Sequence, residues 1–96
     1  RTIIDANDAP TAEVAREIKA SGGNAVANFA SVSDPEGANS IIADAITHFG
    51  RIDAVVNNAG FLRDCIWHKM SAEDWQHVID VHLNGAFYVS KAATPY

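Results

Sequence analysis

VVNNAGFLRD, residues 55–64, joins an apolar run to two asparagines, an alanine and a glycine. The valines complete an almost continuous apolar run over residues 52–56, which is typical of a strand buried on both faces of a parallel sheet. Ligands of such sheets bind beyond the carboxyl ends of the strands, which is where residues 57–60 are predicted to lie. There the asparagine amides could bond a ligand or a neighbouring strand, and Gly60 would let a ligand approach the backbone. The same residues are also compatible with a turn that only ends the strand.

Strand and helix signals alternate along the rest of the chain. Residues 1–5 and 25–29 are strand candidates. Helical signals cover residues 10–22 and 34–50, and a further helix begins at Ser71 and continues to near the end of the chain, where Pro95 would kink or end it. The order β-α-β-α-β-loop-α predicts right-handed crossovers and therefore an α/β fold with a parallel sheet.

The composition favours a small folded domain and argues against several classes of partner. The chain has 96 residues, of which 48% are hydrophobic, and a net charge of −5. Acidic and basic residues are interspersed, so no basic surface for nucleic acid or an anionic membrane is expected, and no apolar run approaches the roughly 18 residues of a membrane span. The chain opens at Arg1 without a secretory leader, and Cys65 is its single cysteine, which suits a reducing, cytoplasm-like compartment. No metal site is predicted, because His48, His68 and His77 show no ligand spacing.

Four short motifs occur in the order and spacing of one known family. They are the glycine pair at residues 22–23, FGRID at 49–53, NNAG at 57–60 and VHLNGAF at 81–87. Together they resemble the short-chain dehydrogenase/reductase family across essentially the whole chain. The resemblance implies a Rossmann-like doubly wound parallel sheet. Residues 1–96 would carry its central part as a partial dinucleotide-binding domain, from the second to the fourth family strand and the start of the long fifth helix.

The same resemblance implies an activity. Within the family, residues 62–64 and 81–83 look most like the branch that contains the (3R)-hydroxyacyl-CoA dehydrogenase part of multifunctional β-oxidation enzymes, and ketoacyl reductases share the Arg-Asp pair. This implies an NAD(P)-dependent oxidoreductase that interconverts a secondary alcohol and a ketone on a small-molecule substrate such as a 3-hydroxyacyl thioester. It also implies a homo-oligomer, a dimer or tetramer, in the cytoplasm, or in the peroxisome for a eukaryotic β-oxidation enzyme. The alternative is a non-catalytic, truncated dinucleotide-fold fragment that serves as a binding or interaction module.

The resemblance assigns seven positions to cofactor binding: Asp5, Ser31, Val32, Asn57, Asn58, Ala59 and Gly60. Asp5 would accept hydrogen bonds from the adenosine ribose and repel a 2′-phosphate, so NAD is expected in preference to NADP. Ser31 and Val32 follow the second strand seen here, where family members line the adenine. The assignments at Asp5 and at residues 31–32 have plainer alternatives. Asp5 could be a turn-forming aspartate, and residues 31–32 could be a loop that leads into a helix.

One catalytic position is also implied. The family's catalytic tetrad includes an asparagine on the long helix, and His82 stands at that position. An imidazole can both donate and accept a hydrogen bond, so His82 could hold the water of a proton relay, or it could be a structural histidine. The family's glycine-rich turn and catalytic serine are not matched in this sequence. Its Tyr-x-x-x-Lys is not matched either, because Tyr88 and Lys91 stand three residues apart rather than four. Residues 1–96 alone are therefore expected to be inactive, and the strand at 52–56 is expected to lack a neighbouring strand.

Overall fold

The computed structural model describes residues 2–4, 8–60 and 65–96. Its regular elements, in chain order, are β1 (Thr2–Ile4), α1 (Asp8–Ala20), β2 (Ala25–Ala27), α2 (Pro35–Phe49), a 3₁₀ turn (Trp67–Lys69), α3 (Ala72–Ile79), a π-helical turn (Asp80–Asn84) and α4 (Gly85–Ala93). β1 and β2 pair in parallel, with Ile3 opposite Val26, and α1 forms the crossover between them. This arrangement confirms the predicted α/β fold. Within these ranges, every helix falls short of the length and apolarity that a membrane crossing requires.

Local sequence signals set the ends of the helices. Asp34 is the N-cap of α2, and its side chain accepts a hydrogen bond from the backbone N–H of Glu36 at 3.3 Å. Gly50 ends the same helix with a φ of 78° and donates its N–H to the Ile46 carbonyl at 2.9 Å. A left-handed backbone favours glycine here, and the turn after α1 uses the same device at Gly22, whose φ is 94°. The predicted start and end of α2 are therefore confirmed.

The prediction of a strand over residues 52–56 is wrong. Residues 51–60 form neither helix nor strand, and the side chains of Val55 and Val56 are 38% and 84% exposed rather than buried. A strand requires a neighbour that satisfies its backbone groups, and in the described part of the chain the sheet consists of β1 and β2. The segment instead turns at Asn57, because the Asn58 N–H donates to the Val56 carbonyl at 3.0 Å and closes a three-residue turn.

The core lies between α2 and α4. Its buried apolar members come from both helices and from the loop before α2: Val32, Ala38, Ile41, Ile42 and Val89. Gly85, the first residue of α4, approaches Val32 so closely that an added Cβ would lie 2.8 Å from Val32 Cγ2 and 3.3 Å from its Cβ. The absence of a side chain at Gly85 therefore sets how near α4 comes to the loop.

The last helix runs to near the end of the chain as the sequence predicts, but it is not α-helical throughout. It starts as predicted, because Ser71 caps α3 by accepting a hydrogen bond from the Asp74 N–H at 3.0 Å. Between α3 and α4, the Gly85 N–H bonds the Asp80 carbonyl five residues back, which makes this turn π-helical. Such turns are rare and occur often at functional sites, and this one contains His82.

Gly85→Ala is expected to destabilise the protein, although alanine in place of glycine inside a helix usually gains about 1 kcal/mol. The new methyl would collide with Val32, and overpacking of this kind typically costs about 1–3 kcal/mol. Urea unfolding measures the change in the free energy of unfolding. The double variant Val32→Ala/Gly85→Ala should be less destabilised than the sum of the two single variants. A gain in stability from Gly85→Ala alone would contradict this account of the packing.

Candidate functional site

A cleft of about 410 Å³ opens between α2, α4 and residues 51–59. Its floor is apolar and continuous with the core, because the core residues Ile41, Ile42 and Val89 line it. Polar side chains also line it: Arg51, Asp53, Asn57, Asn58 and His82. An apolar cleft with a small number of polar groups is the usual form of a small-molecule site.

The asparagine-rich segment is held against the long helix at two points. Asn57 Nδ2 donates a hydrogen bond to Ser90 Oγ on α4 at 3.2 Å. At the other end Gly60 faces the His82 ring, since a Cβ on Gly60 would lie 2.9 Å from His82 Nε2. The first residue of the segment, Asn57, meets the later helix residue Ser90, and the last residue, Gly60, meets the earlier helix residue His82. Residues 57–60 therefore run antiparallel to the helix at a defined height along it.

The contact between Gly60 and His82 changes the explanation of the glycine. The sequence predicts that the missing side chain admits a ligand to the backbone, but the space into which a Cβ would project holds the imidazole. The ring nitrogens Nε2 and Nδ1 would lie 2.9 Å and 3.1 Å from such a Cβ. His82 is nevertheless exposed, so part of its surface remains accessible. Gly60 therefore positions His82, and a ligand at this end of the segment meets the imidazole.

Asn58 and Ala59 lie between the two anchored ends. Asn58 is exposed and lines the cleft, while Ala59 is half-buried and packs against the core. An amide at the cleft can donate and accept hydrogen bonds, and the small alanine side chain leaves space beside it. Both positions are therefore compatible with the predicted cofactor contacts.

Val32 lines the same cleft as residues 57–59 and His82. The Val32 side chain is only 9% exposed, so it forms part of the wall and offers no polar group. Ser31 is exposed, and its Oγ lies 2.7 Å from Ser33 Oγ. The structure therefore gathers most of the predicted site residues at one cleft, with Ser31 next to it in the chain.

One predicted site residue, Asp5, falls outside the described residues. The ribose contact assigned to Asp5 stays a prediction. Residues 62–64, which carry part of the resemblance to one branch of the family, also lie outside the described residues.

Two residues that sequence reasoning did not select also shape the site. Ser90 anchors Asn57, and Asp80 accepts hydrogen bonds from the side chains of Gln76 at 2.8 Å and Asn84 at 3.0 Å. Ser90 carries no local signal, because its partner is 33 residues away in sequence. The four-residue spacing of Gln76, Asp80 and Asn84 is a signal that could have found the second group, since side chains at this spacing meet on a helix.

A family model described as short chain dehydrogenase matches residues 1–96. The chain belongs to the short-chain dehydrogenase family. Members of this family are oxidoreductase enzymes, and the resemblance inferred from the four motifs is confirmed.

Relatives and solved structures of short-chain dehydrogenases match most of the chain. It is 48% identical over 91 residues to a short-chain type dehydrogenase/reductase of Mycobacterium tuberculosis, covering 95% of this chain and 32% of the relative. It is 52% identical over 83 residues to the peroxisomal multifunctional enzyme type 2 of Drosophila melanogaster, covering 86% of this chain and 13% of the relative. A short chain dehydrogenase from Mycobacterium avium has a TM-score of 0.91 at 34% identity, covering 100% of this chain and 38% of that one. A gluconate 5-dehydrogenase from Burkholderia cenocepacia, solved in complex with NADP and tartrate, has a TM-score of 0.83 at 28% identity, covering 97% and 37%. The chain therefore spans roughly a third or less of the length of the two relatives.

Gly60→Ala is expected to displace the His82 ring, because the new methyl would take the place of the imidazole. The loss of stability should be smaller than the about 1–3 kcal/mol of an overpacked core, because both residues are exposed and the ring can turn away. Gly60 does not have a positive φ, so its backbone accepts alanine. Urea unfolding of the whole protein measures the cost. The control is Gly60→Ala/His82→Ala, which should recover most of the stability. A double variant as unstable as Gly60→Ala would mean that some other feature of the backbone requires glycine.

Proposed function

We propose that the whole protein is an NAD(P)-dependent oxidoreductase that interconverts a secondary alcohol and a ketone, with a 3-hydroxyacyl thioester as the substrate class. Family membership supports the reaction, and the similarity to a multifunctional enzyme, together with residues 62–64 and 81–83, supports the substrate class. The observation that carries the proposal is the contact of His82 with Gly60 beside the cleft. It joins the NNAG segment to the helix position at which the family resemblance places a catalytic residue.

In this proposal residues 1–96 form the central part of a Rossmann-like, doubly wound dinucleotide-binding domain. The parallel pair of β1 and β2 with a crossover helix is the unit from which such a sheet is built. The TM-score of 0.91 with a solved short chain dehydrogenase supports the same assignment.

The residues at the cleft fit one flank of a nicotinamide dinucleotide. Exposed asparagines at residues 57–58 offer amide donors and acceptors, and Ala59 and Val32 offer an apolar wall for a ring. Ser31, which precedes Val32 in the chain, offers a hydroxyl next to the cleft. Such a cofactor, held beside these residues, would supply hydride transfer to and from the alcohol carbon. The complex of the gluconate 5-dehydrogenase with NADP supports a dinucleotide of this kind. We propose NAD, because a carboxylate at Asp5 would repel the 2′-phosphate of NADP.

His82 is the residue proposed to handle protons. Its imidazole can accept a hydrogen bond at one ring nitrogen and donate one from the other, which suits a residue that holds a water in a proton relay. The π-turn and the contact with Gly60 restrain the ring, while its exposure leaves it open to the cleft. A restrained but accessible imidazole is what such a relay requires.

The second candidate function is a non-catalytic binding or interaction module. Apolar side chains exposed on the last helix favour an interaction surface, since Trp75, Leu83 and Phe87 are 61%, 64% and 59% exposed. In an oxidoreductase the same surface would join subunits, and we propose that the whole protein is a homo-oligomer. A cytoplasmic location, or a peroxisomal one in a eukaryotic β-oxidation enzyme, stays a prediction. Turnover of a hydroxyacyl thioester by the whole protein separates the two candidates.

His82→Ala in the whole protein is expected to lower kcat by about 10²-fold, the lower end of what a positioned acid–base group contributes. The Kd for NAD should stay within about twofold, because the loss would fall on the transition state. His82→Asn is the matched control, since it restores the family's usual amide and should retain more turnover. Steady-state oxidation of a 3-hydroxyacyl thioester and NAD titration provide both numbers. Unchanged kcat across the pH range would leave His82 as a packing residue.

NAD is expected to bind the whole protein at least about tenfold more tightly than NADP, which corresponds to about 1.4 kcal/mol of repulsion at Asp5. Titration with both oxidised cofactors measures the ratio. Asp5→Ser should bring the Kd values for NAD and NADP closer together. Asp8→Ser, which changes an acidic residue at the start of α1, should leave their ratio unchanged. NADP binding as tight as NAD binding in the unmodified protein would contradict the cofactor proposal.

A further inference from the structure

We infer that Asp80 is a positioning residue for His82: its carboxylate holds the π-turn whose register sets the imidazole against Gly60. The catalytic consequence of this inference rests on the proposed oxidoreductase function. The structural part stands on the contacts of α3, the π-turn and α4.

One oxygen of Asp80 joins α3 to the last residue of the π-turn. Asp80 Oδ1 accepts a hydrogen bond from Gln76 Nε2 on α3 at 2.8 Å and a second from Asn84 Nδ2 at the end of the turn at 3.0 Å. The Asp80 carbonyl accepts the Gly85 N–H bond, and the Asp80 N–H bonds the carbonyls of Gln76 and His77. The main chain and the side chain of one residue therefore hold both ends of the irregular turn. Hydrogen bonds to a charged acceptor are the stronger kind.

The π-turn needs such support because a regular α-helical turn competes with it. A π-helical bond spans five residues where an α-helical bond spans four, so the turn contains one additional residue. Each residue of an α-helix advances about 100° around the axis. Closing the turn into α-helical form would therefore rotate the residues before it relative to those after it.

Three contacts on the helix depend on this rotation. They pair His82 with Gly60, Gly85 with Val32, and Ser90 with Asn57. The contacts of Gly85 and Ser90 fix α4 in place. If the turn changed its form, the residues within and before the turn would therefore be the ones that move. The ring of His82 would then leave its place against the glycine. Asp80 therefore controls where the imidazole lies relative to the cleft.

If Asp80 only stabilised the helix, as an ordinary side-chain pair on a helix surface does, its substitution would lower stability and leave the His82 ring in place. The chain offers variants that separate the two roles. Asp80→Asn keeps a side-chain oxygen acceptor without the charge, and Asn84→Ala removes one of the two donors. Glu73→Ala is the matched control, because Glu73 is an exposed acid on α3 outside this group of contacts.

Crystal structures and steady-state kinetics of the whole protein test the inference. Asp80→Ala is expected to displace the His82 ring from Gly60 by about 1 Å or more and to lower kcat by about 10²-fold, which a misplacement of this size can cause. The Kd for NAD should stay within about twofold. Asp80→Asn should keep the ring in place and retain most of the turnover. Glu73→Ala should match the unmodified protein in both measurements.

The position of the ring decides the result. An unmoved His82 ring in Asp80→Ala would overturn the inference, whatever the kinetics. If Asp80→Ala does not fold, Asn84→Ala takes its place, with a displaced ring supporting the inference and an unmoved ring overturning it. If the unmodified protein shows no dehydrogenase activity, the proposed function fails, and the ring position still tests the role of Asp80. The two variants could also lose turnover equally while the His82 ring stays in place in Asp80→Asn. That result would assign the loss to the charge of Asp80 and would also overturn the inference.

Discussion

The close approach of α4 to the loop before α2, at Gly85 and Val32, is the constraint on which the rest of the described structure depends. An added Cβ on Gly85 would lie 2.8 Å from Val32 Cγ2, so only glycine permits this separation. The buried residues of the two helices meet across the gap that results. The same approach brings the helix alongside residues 57–60, where His82 and Ser90 hold the segment at its two ends.

Residues 52–56 show how backbone hydrogen bonding overrides an apolar pattern. Burying each valine would gain roughly 1.5–3 kcal/mol, but each backbone group buried without a partner would cost about 1–3 kcal/mol. In the described part of the chain the sheet has two strands, and neither pairs with this segment. The backbone therefore stays in contact with water, and Val56 is 84% exposed as a consequence. The sequence signal for a buried strand is real, but a strand exists only as one member of a pair.

The geometry adds to family membership an account of how the site residues depend on each other. The NNAG segment and the helix motif are separate signals in the sequence, and the structure joins them through Gly60 and His82. The imidazole of His82 needs space beside residues 57–60, and Gly60, which has no side chain, provides it. The irregular turn that holds this ring is itself held by Asp80, so the site extends beyond the residues that line the cleft.

The sequence by itself determined where the helices begin and end, the α/β order and the family. Asp34 and Ser71 act on backbone groups two or three residues away, so the local sequence contains both partners of each cap. It also identified residues 57–60 and His82 as site candidates, because motif identity depends only on residue type and spacing. Only the tertiary structure decided that residues 52–56 have no strand partner among the described residues, that the last helix contains a π-turn, and that the glycine of the NNAG segment makes room for an imidazole. These outcomes depend on partners distant in sequence or on competition between alternative backbone bonds, and a local pattern contains neither.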